Sequence, residues 1–171
     1  VMGNRESHPL ASAFKKKLAG VHHPIVCANL IRKSGSHPFK SWIVLEREGM
    51  RIGVFGIMVP MVTRAMKTQA ASAYLWDPPI ETAQKVVKSI RNEVDCLIAL
   101  SHIGHRENLK LATSCPEIDI ILGGHSHTVL EHPVQVDDTW VCQGGSHGRF
   151  IGDYVWDSET KELSGGLLPL R

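Results

Sequence analysis

Two β-prone apolar runs, Trp42-Ile-Val-Leu-Glu46 and Arg51-Ile-Gly-Val-Phe-Gly-Ile-Met-Val59, are separated only by Arg47-Glu-Gly-Met50. A polar, glycine-containing break this short predicts a hairpin. Upstream, Leu10, Phe14 and Leu18 fall at helical spacing with Gly20 as a stop, which predicts a short amphipathic helix over 10–19, and Pro24 to Leu30 reads as a brief apolar strand. Residues 60–76 have no clear period and are expected to form a loop with a helical turn. Asp77 then precedes Pro78 as an expected N-cap before a first-turn proline, and Ile80, Ala83, Val87, Ile90 and Val94 line one helix face.

Residues 95–101 form a continuous apolar run, 106–114 a short helix ended by Pro116, and 118–122 another apolar run. Strand, helix, strand at this spacing implies parallel strands in a sheet covered on both faces. Trp140 to Gln143 and Phe150 to Trp156, with a turn at Asp157-Ser-Glu-Thr160, read as antiparallel strands, and Asp153 within the second lies on an edge strand. No repeat and no linker interrupts the pattern, so residues 1–171 are expected to form a single α/β domain, a sandwich with mixed sheets.

Composition narrows the class. With 171 residues, 43% of them hydrophobic, the chain can bury a core, and no apolar run is long enough to cross a membrane. The net charge is only +2, and the one basic cluster, Lys15-Lys-Lys17, fits a solvated helix face, so neither nucleic acid nor a membrane is an expected partner. The four cysteines show no CxxC spacing and three sit in apolar segments, which predicts free thiols and favours a cytoplasmic setting. A periplasmic or secreted setting stays open, because the chain starts at Val1 without an initiator methionine and enters a motif-like Met-Gly-Asn, as expected if an N-terminal portion precedes it.

The chemistry concentrates at Ile120-Ile-Leu-Gly-Gly-His-Ser-His127, an apolar strand that turns through two glycines into two histidines. Glycines let the backbone approach closely, and imidazoles projecting from such a turn can present neutral nitrogen to a divalent metal. Ligands of open α/β sheets gather beyond the carboxyl ends of the strands, so His102, which follows the 95–101 run, should share one rim with His125 and His127. Asn4, in Met2-Gly-Asn-Arg-Glu6, offers a neutral oxygen. Taken alone, His102 also suits an ordinary loop or capping position.

Placed in order, Gly3-Asn-Arg-Glu6, Ser101-His-Ile-Gly104 and Gly124-His-Ser-His127 resemble the last three motifs of the calcineurin-like metallophosphoesterases, specifically their 5′-nucleotidase branch. Cys27-Ala-Asn-Leu30, Gly53-Val-Phe-Gly56, Trp76-Asp-Pro78 and Gln143-Gly-Gly-Ser-His-Gly-Arg-Phe-Ile-Gly152 extend the resemblance over almost the whole chain. It implies an α/β/β/α sandwich lacking its N-terminal portion, which would be a partner segment, and hydrolysis of small phosphate monoesters, nucleotides among them, by a metal-bound hydroxide at a dinuclear centre. Of its two divalent ions, drawn from Mn, Fe, Zn or Co, Asn4, His102 and His125 would bind one and His127 the other. The family's Asp-x-His and Gly-Asp-x-x-Asp motifs are not found in these residues. The histidine that the family places after Gly-Asn is here Arg5, which can pair with a phosphate but cannot release a proton, so His8 becomes the expected proton donor. The bland alternative pairs Arg5 with Glu6 or Glu107 and leaves His8 on the surface. His105 and His147 are expected substrate contacts. Arg5 and the missing acidic motifs also support a different class, a noncatalytic domain that uses a partial metal site for structure or ligand binding.

Overall fold

The computed structural model describes residues 1–170. Helix α1 (Ala11–Leu18) comes first, followed by strands β1 (Leu30–Arg32), β2 (Trp42–Arg47), β3 (Met50–Met58) and β4 (Tyr74–Trp76), helix α2 (Pro79–Ile90), strand β5 (Cys96–His102), helix α3 (His105–Ser114), and strands β6 (Ile120–Gly123), β7 (Val134–Val136), β8 (Thr139–Gln143), β9 (Phe150–Trp156) and β10 (Leu163–Pro169). Six strands make one mixed sheet in the order β2-β3-β5-β6-β8-β7, while β1 pairs with β4 and β9 with β10 in separate two-stranded sheets.

The expected hairpin is present as β2 and β3, paired antiparallel from Trp42–Phe55 to Arg47–Met50. Strands β3, β5, β6 and β8 then run parallel, and their register aligns Met58 with His102, Ser101 with Gly123, and Gly123 with Gln143. Four strand ends thus reach one carboxyl edge. On one face of this sheet α2 and α3 bury Ala83, Val86, Val87, Ile90, Leu111 and Ala112 against Phe55, Ile57, Leu97, Ala99 and Ile121. On the other face Cys96, Ile120 and Cys142 meet Leu163, Tyr154 and Trp156 of the β9–β10 pair. The sheet is therefore covered on both sides, by helices on one and by a β-ribbon on the other, which is the mixed-sheet sandwich expected. A third cluster, with Phe14, Met58, Leu75, Trp76 and Met2, seats α1 and the start of the chain.

Four expectations are corrected. The stretch 24–30 is not a strand: Val26 makes a single bridge to Lys40, and the paired segment is Leu30–Arg32. Its backbone bonds scatter over three segments, from Cys27 N–H to Lys40 O, from Ala28 N–H to Gly56 O and from Asp77 N–H to Asn29 O, so no ladder forms, and the buried Asn29 side chain donates to the carbonyls of Met58 at 2.8 Å and Asp77 at 3.1 Å. The region 60–76 does contain a helical turn, Lys67–Ala70, but ends in strand β4, whose partner lies more than forty residues upstream and leaves no local period. Asp77 does not cap α2. The N-cap is Pro78, and because Pro79 has no N–H to satisfy, the helix starts without a side-chain cap while Thr82 turns its hydroxyl back to the Pro78 carbonyl at 2.8 Å. Finally, β8 is parallel to β6, not part of an antiparallel C-terminal sheet; its antiparallel partner is β7.

All four cysteines are free and buried. Burial pushes the Cys27 and Cys96 thiols up to about 12 and those of Cys115 and Cys142 up to about 11. Their reduced state follows from packing in apolar surroundings, and so it lends no support to a cytoplasmic setting. No helix among the described residues is long and apolar enough to cross a membrane.

Candidate functional site

His102 is the last residue of β5, and its ring is held between two glycines. A Cβ on Gly3 would lie 3.0 Å from His102 Cε1, and one on Gly124 would lie 3.0 Å from His102 Nδ1. Any side chain at either position would push the imidazole away. Asn4 arrives from the opposite end of the sequence on a tight turn, in which the Ser7 N–H donates to the Gly3 carbonyl at 3.3 Å, the Gly3 N–H to Glu6 Oε2 at 2.9 Å, and the Ser7 hydroxyl to the Asn4 carbonyl at 3.2 Å. Buried Met2 anchors this turn in the α1 cluster. Asn4 Oδ1 consequently lies 3.0 Å from His102 Nε2 and 3.4 Å from His125 Nδ1.

His125 and His127 follow β6 but part ways. Both adopt left-handed backbone conformations, with φ of 78° and 58°, which few residues other than glycine visit. His125 packs edge-on against His102, with ring centroids 5.1 Å apart, whereas the His127 ring lies against His147 at 5.8 Å. His147 is itself left-handed, with φ of 62°, and its Nδ1 lies 2.8 Å from Ser146 Oγ. Between the two diverging histidines, Ser126 Oγ accepts the His105 N–H at 2.9 Å and Gln143 Nε2 at 3.0 Å, and pairs with Thr128 Oγ1 at 2.9 Å.

Desolvation, reinforced by nearby His125 and His127 and opposed by Glu6, holds the His102 imidazole below its ordinary range. It is therefore neutral around neutral pH and its nitrogen is available as a donor. Two imidazole nitrogens and an amide oxygen meeting at one point suit a borderline divalent cation, so the residues fit one such ion. No group of three or more His, Cys, Asp or Glu side chains that could hold a metal comes together among the described residues. The third donor beside His102 and His125 is an amide, and the His127 ring lies against the His147 imidazole.

Arg5 is exposed and makes no ion pair among the described residues; Glu107 pairs instead with Lys110 at 2.7 Å, and Glu6 with the Gly3 backbone. His8 is half-buried, and its Nδ1 accepts the Leu10 N–H at 3.0 Å, so it shares no hydrogen bond with the Asn4 cluster. His105 opens α3, with its N–H on Ser126 and its own Nδ1 buried without a partner. Sequence reasoning passed over Ser126, Gln143 and Asn108. The only signal for them was polarity out of place: a serine between two histidines, a glutamine closing the apolar run Trp140-Val-Cys, and an asparagine on the inner face of a short helix.

No family model matches the chain. The trifunctional nucleotide phosphoesterase protein YfkN of Bacillus subtilis is 35% identical over 150 residues, covering 81% of this chain and 10% of that protein. Among solved structures, the sulfate thiohydrolase SoxB of Thermus thermophilus superposes with a TM-score of 0.81 at 21% identity, over 93% of this chain and 30% of SoxB. A 5′-nucleotidase precursor, also from Thermus thermophilus, superposes with a TM-score of 0.74 at 25% identity, over 92% of this chain and 36% of that one. The chain thus spans about a third or less of the length of each of these relatives.

Proposed function

Because the chain belongs to the calcineurin-like metallophosphoesterases, in their 5′-nucleotidase branch, we propose that it forms part of a divalent-metal centre that hydrolyses small phosphate monoesters, with nucleotides as the substrate class. The observation that carries this reading is the meeting of His102 Nε2 and His125 Nδ1 on Asn4 Oδ1, at 3.0 and 3.4 Å. Names borne by relatives, 5′-nucleotidase and trifunctional nucleotide phosphoesterase, support the substrate class. Residues 1–171 are read as one partial phosphoesterase domain.

Asn4, His102 and His125 would hold one ion, and His127, with His147 beside it, would contribute to a second whose remaining donors are not among the described residues. When bound, such ions polarise phosphoryl oxygens and lower the pKa of water. The chain's own residues do the rest. Burial keeps His102 neutral and fixed, and the glycines on either side of it hold its ring in place. Arg5, without a carboxylate partner among the described residues, can bind phosphate oxygens through its planar fork but stays protonated throughout. His8 is the proposed proton donor, a role that requires its Nδ1 to release the Leu10 N–H and take up a proton, so that the ring is an imidazolium.

Two measurements on the protein expressed from its full coding sequence test this reading: metal content, and release of inorganic phosphate from a nucleoside monophosphate. Bound divalent metal with phosphate release that is lost in His125→Ala is the expected result. Arg5 in place of the family's histidine favours one alternative, a noncatalytic domain, which predicts bound metal without turnover. Metal-free protein with unimpaired turnover would overturn both.

A further inference from the structure

The loop that carries His125 and His127 holds two consecutive-but-one left-handed residues, and neither is a glycine. Such a backbone persists only where its surroundings over-determine it. The one residue between them, Ser126, is exposed, yet its hydroxyl oxygen is the meeting point of three separate elements: the first N–H of α3, the Gln143 amide at the end of β8, and Thr128 beyond the loop, all within 3.0 Å. Gln143 is only 2% exposed. Its amide nitrogen is spent on Ser126, while its Oε1 has no partner.

A second buried amide lies beside Gln143, over Gly123. Asn108, fully buried on α3, accepts the Ser101 hydroxyl at 2.6 Å, and its Nδ2 is also without a partner. A Cβ on Gly123 would lie 2.3 Å from Asn108 Nδ2 and 3.1 Å from Gln143 Oε1, so both amides press on one bare Cα. A buried donor and a buried acceptor left over at one spot are costly, and purely structural cores rarely keep them. Their placement links α3 and the ends of β5, β6 and β8 to the histidine loop.

We propose that Ser126 and Gln143 are positioning residues: Gln143, packed with Asn108 over Gly123, holds Ser126 Oγ, and Ser126 holds His125 toward Asn4 while turning His127 the other way. They touch no reacting group. Insofar as the loop then presents ligands, this rests on the metal reading above, but the positioning itself is tested without metal.

In metal-free protein with labelled histidine, NMR should show one sharp ring signal each for His125 and His127. Ser126→Ala and Gln143→Leu should broaden or split both, leaving His22 and His23 unchanged, and Ser126→Thr, which keeps the oxygen, should restore single signals. Should Gln143→Leu fail to fold, the exposed Ser126 pair decides. Unchanged His125 and His127 signals in Ser126→Ala would overturn the proposal. Titration with Co²⁺ separates the two readings: wild type that takes up no cobalt refutes the metal centre alone, whereas positioning predicts binding weakened by about 10–100-fold in Ser126→Ala and recovered in Ser126→Thr.

Discussion

Asn29 is the polar residue whose loss should cost this fold most. It is 0% exposed, and its side chain closes three hydrogen bonds with the backbone of β3 and of the β4–α2 connection: Nδ2 donates to Met58 O at 2.8 Å and to Asp77 O at 3.1 Å, and Oδ1 accepts the Met58 N–H at 3.0 Å. Asn29→Leu removes all three while leaving the Met58 N–H and carbonyl buried and the Asp77 carbonyl partly so. Net loss of three such bonds is worth about 3 kcal/mol, and the stranded donor and carbonyls raise the cost to about 3–5 kcal/mol. A domain of this kind is stable by about 5–15 kcal/mol, so the effect should be large. The damage also reaches the site, because Met58 is in register with His102 and the Val59 N–H donates to the His102 carbonyl at 3.0 Å. Equilibrium urea unfolding followed by tryptophan fluorescence measures the change. Asn29→Asp sharpens the test, since it keeps the acceptor but sets a carboxylate oxygen against two carbonyls. Burial raises that carboxyl's folded pKa above its unfolded value, so the folded state binds the extra proton, and the penalty is greatest at neutral pH and shrinks as pH falls through the folded pKa. A loss below about 1 kcal/mol in Asn29→Leu would refute the reasoning, because the buried carbonyls would then have found other partners.

Other outcomes follow from the same geometry. Gly124→Ala places a Cβ 3.0 Å from His102 Nδ1 and should impair divalent-metal binding, measured by calorimetry, with little change in the melting temperature. Asp157 Oδ1 accepts the N–H groups of Glu159 at 2.8 Å and Thr160 at 3.0 Å, first the Thr160 bond and then the Glu159 bond holding its carboxyl below the ordinary aspartate value. Its contribution is therefore complete above that ordinary value and lost as pH falls through the lowered one, so Asp157→Asn should flatten the acid limb of the stability profile below about pH 4. With pKa values near 11 and 12, the four buried thiols should resist iodoacetamide at mildly alkaline pH and react together once denatured, as counted by mass spectrometry. Fast labelling of any one in the native protein would contradict its burial.

How much was legible before the structure depended on how local each signal was. The β2–β3 hairpin, α2 and the β5-α3-β6 unit were readable because periodicity and turn chemistry act over a few residues. Strands β4, β7 and β10 were missed, being short or, in β10, glycine-rich and exposed, with their stability coming from partners rather than pattern. The direction of β8 was misread for the same reason: alternation along a strand says nothing about which way its neighbour runs.

The sequence by itself determined the chemical identities at the site. Two histidines behind paired glycines, one more after the preceding strand, and an asparagine in Gly-Asn are donor types that composition alone makes unusual. The resemblance already grouped Asn4 with His102 and His125 and set His127 apart; the folded chain added how this happens, with Asn4 reaching His102 across 98 positions, the two loop histidines packing on different rings, and a buried glutamine bonded to the serine between them. The physical reason is that donor chemistry belongs to each side chain, whereas convergence depends on strand register and left-handed backbone angles, which packing between distant segments sets.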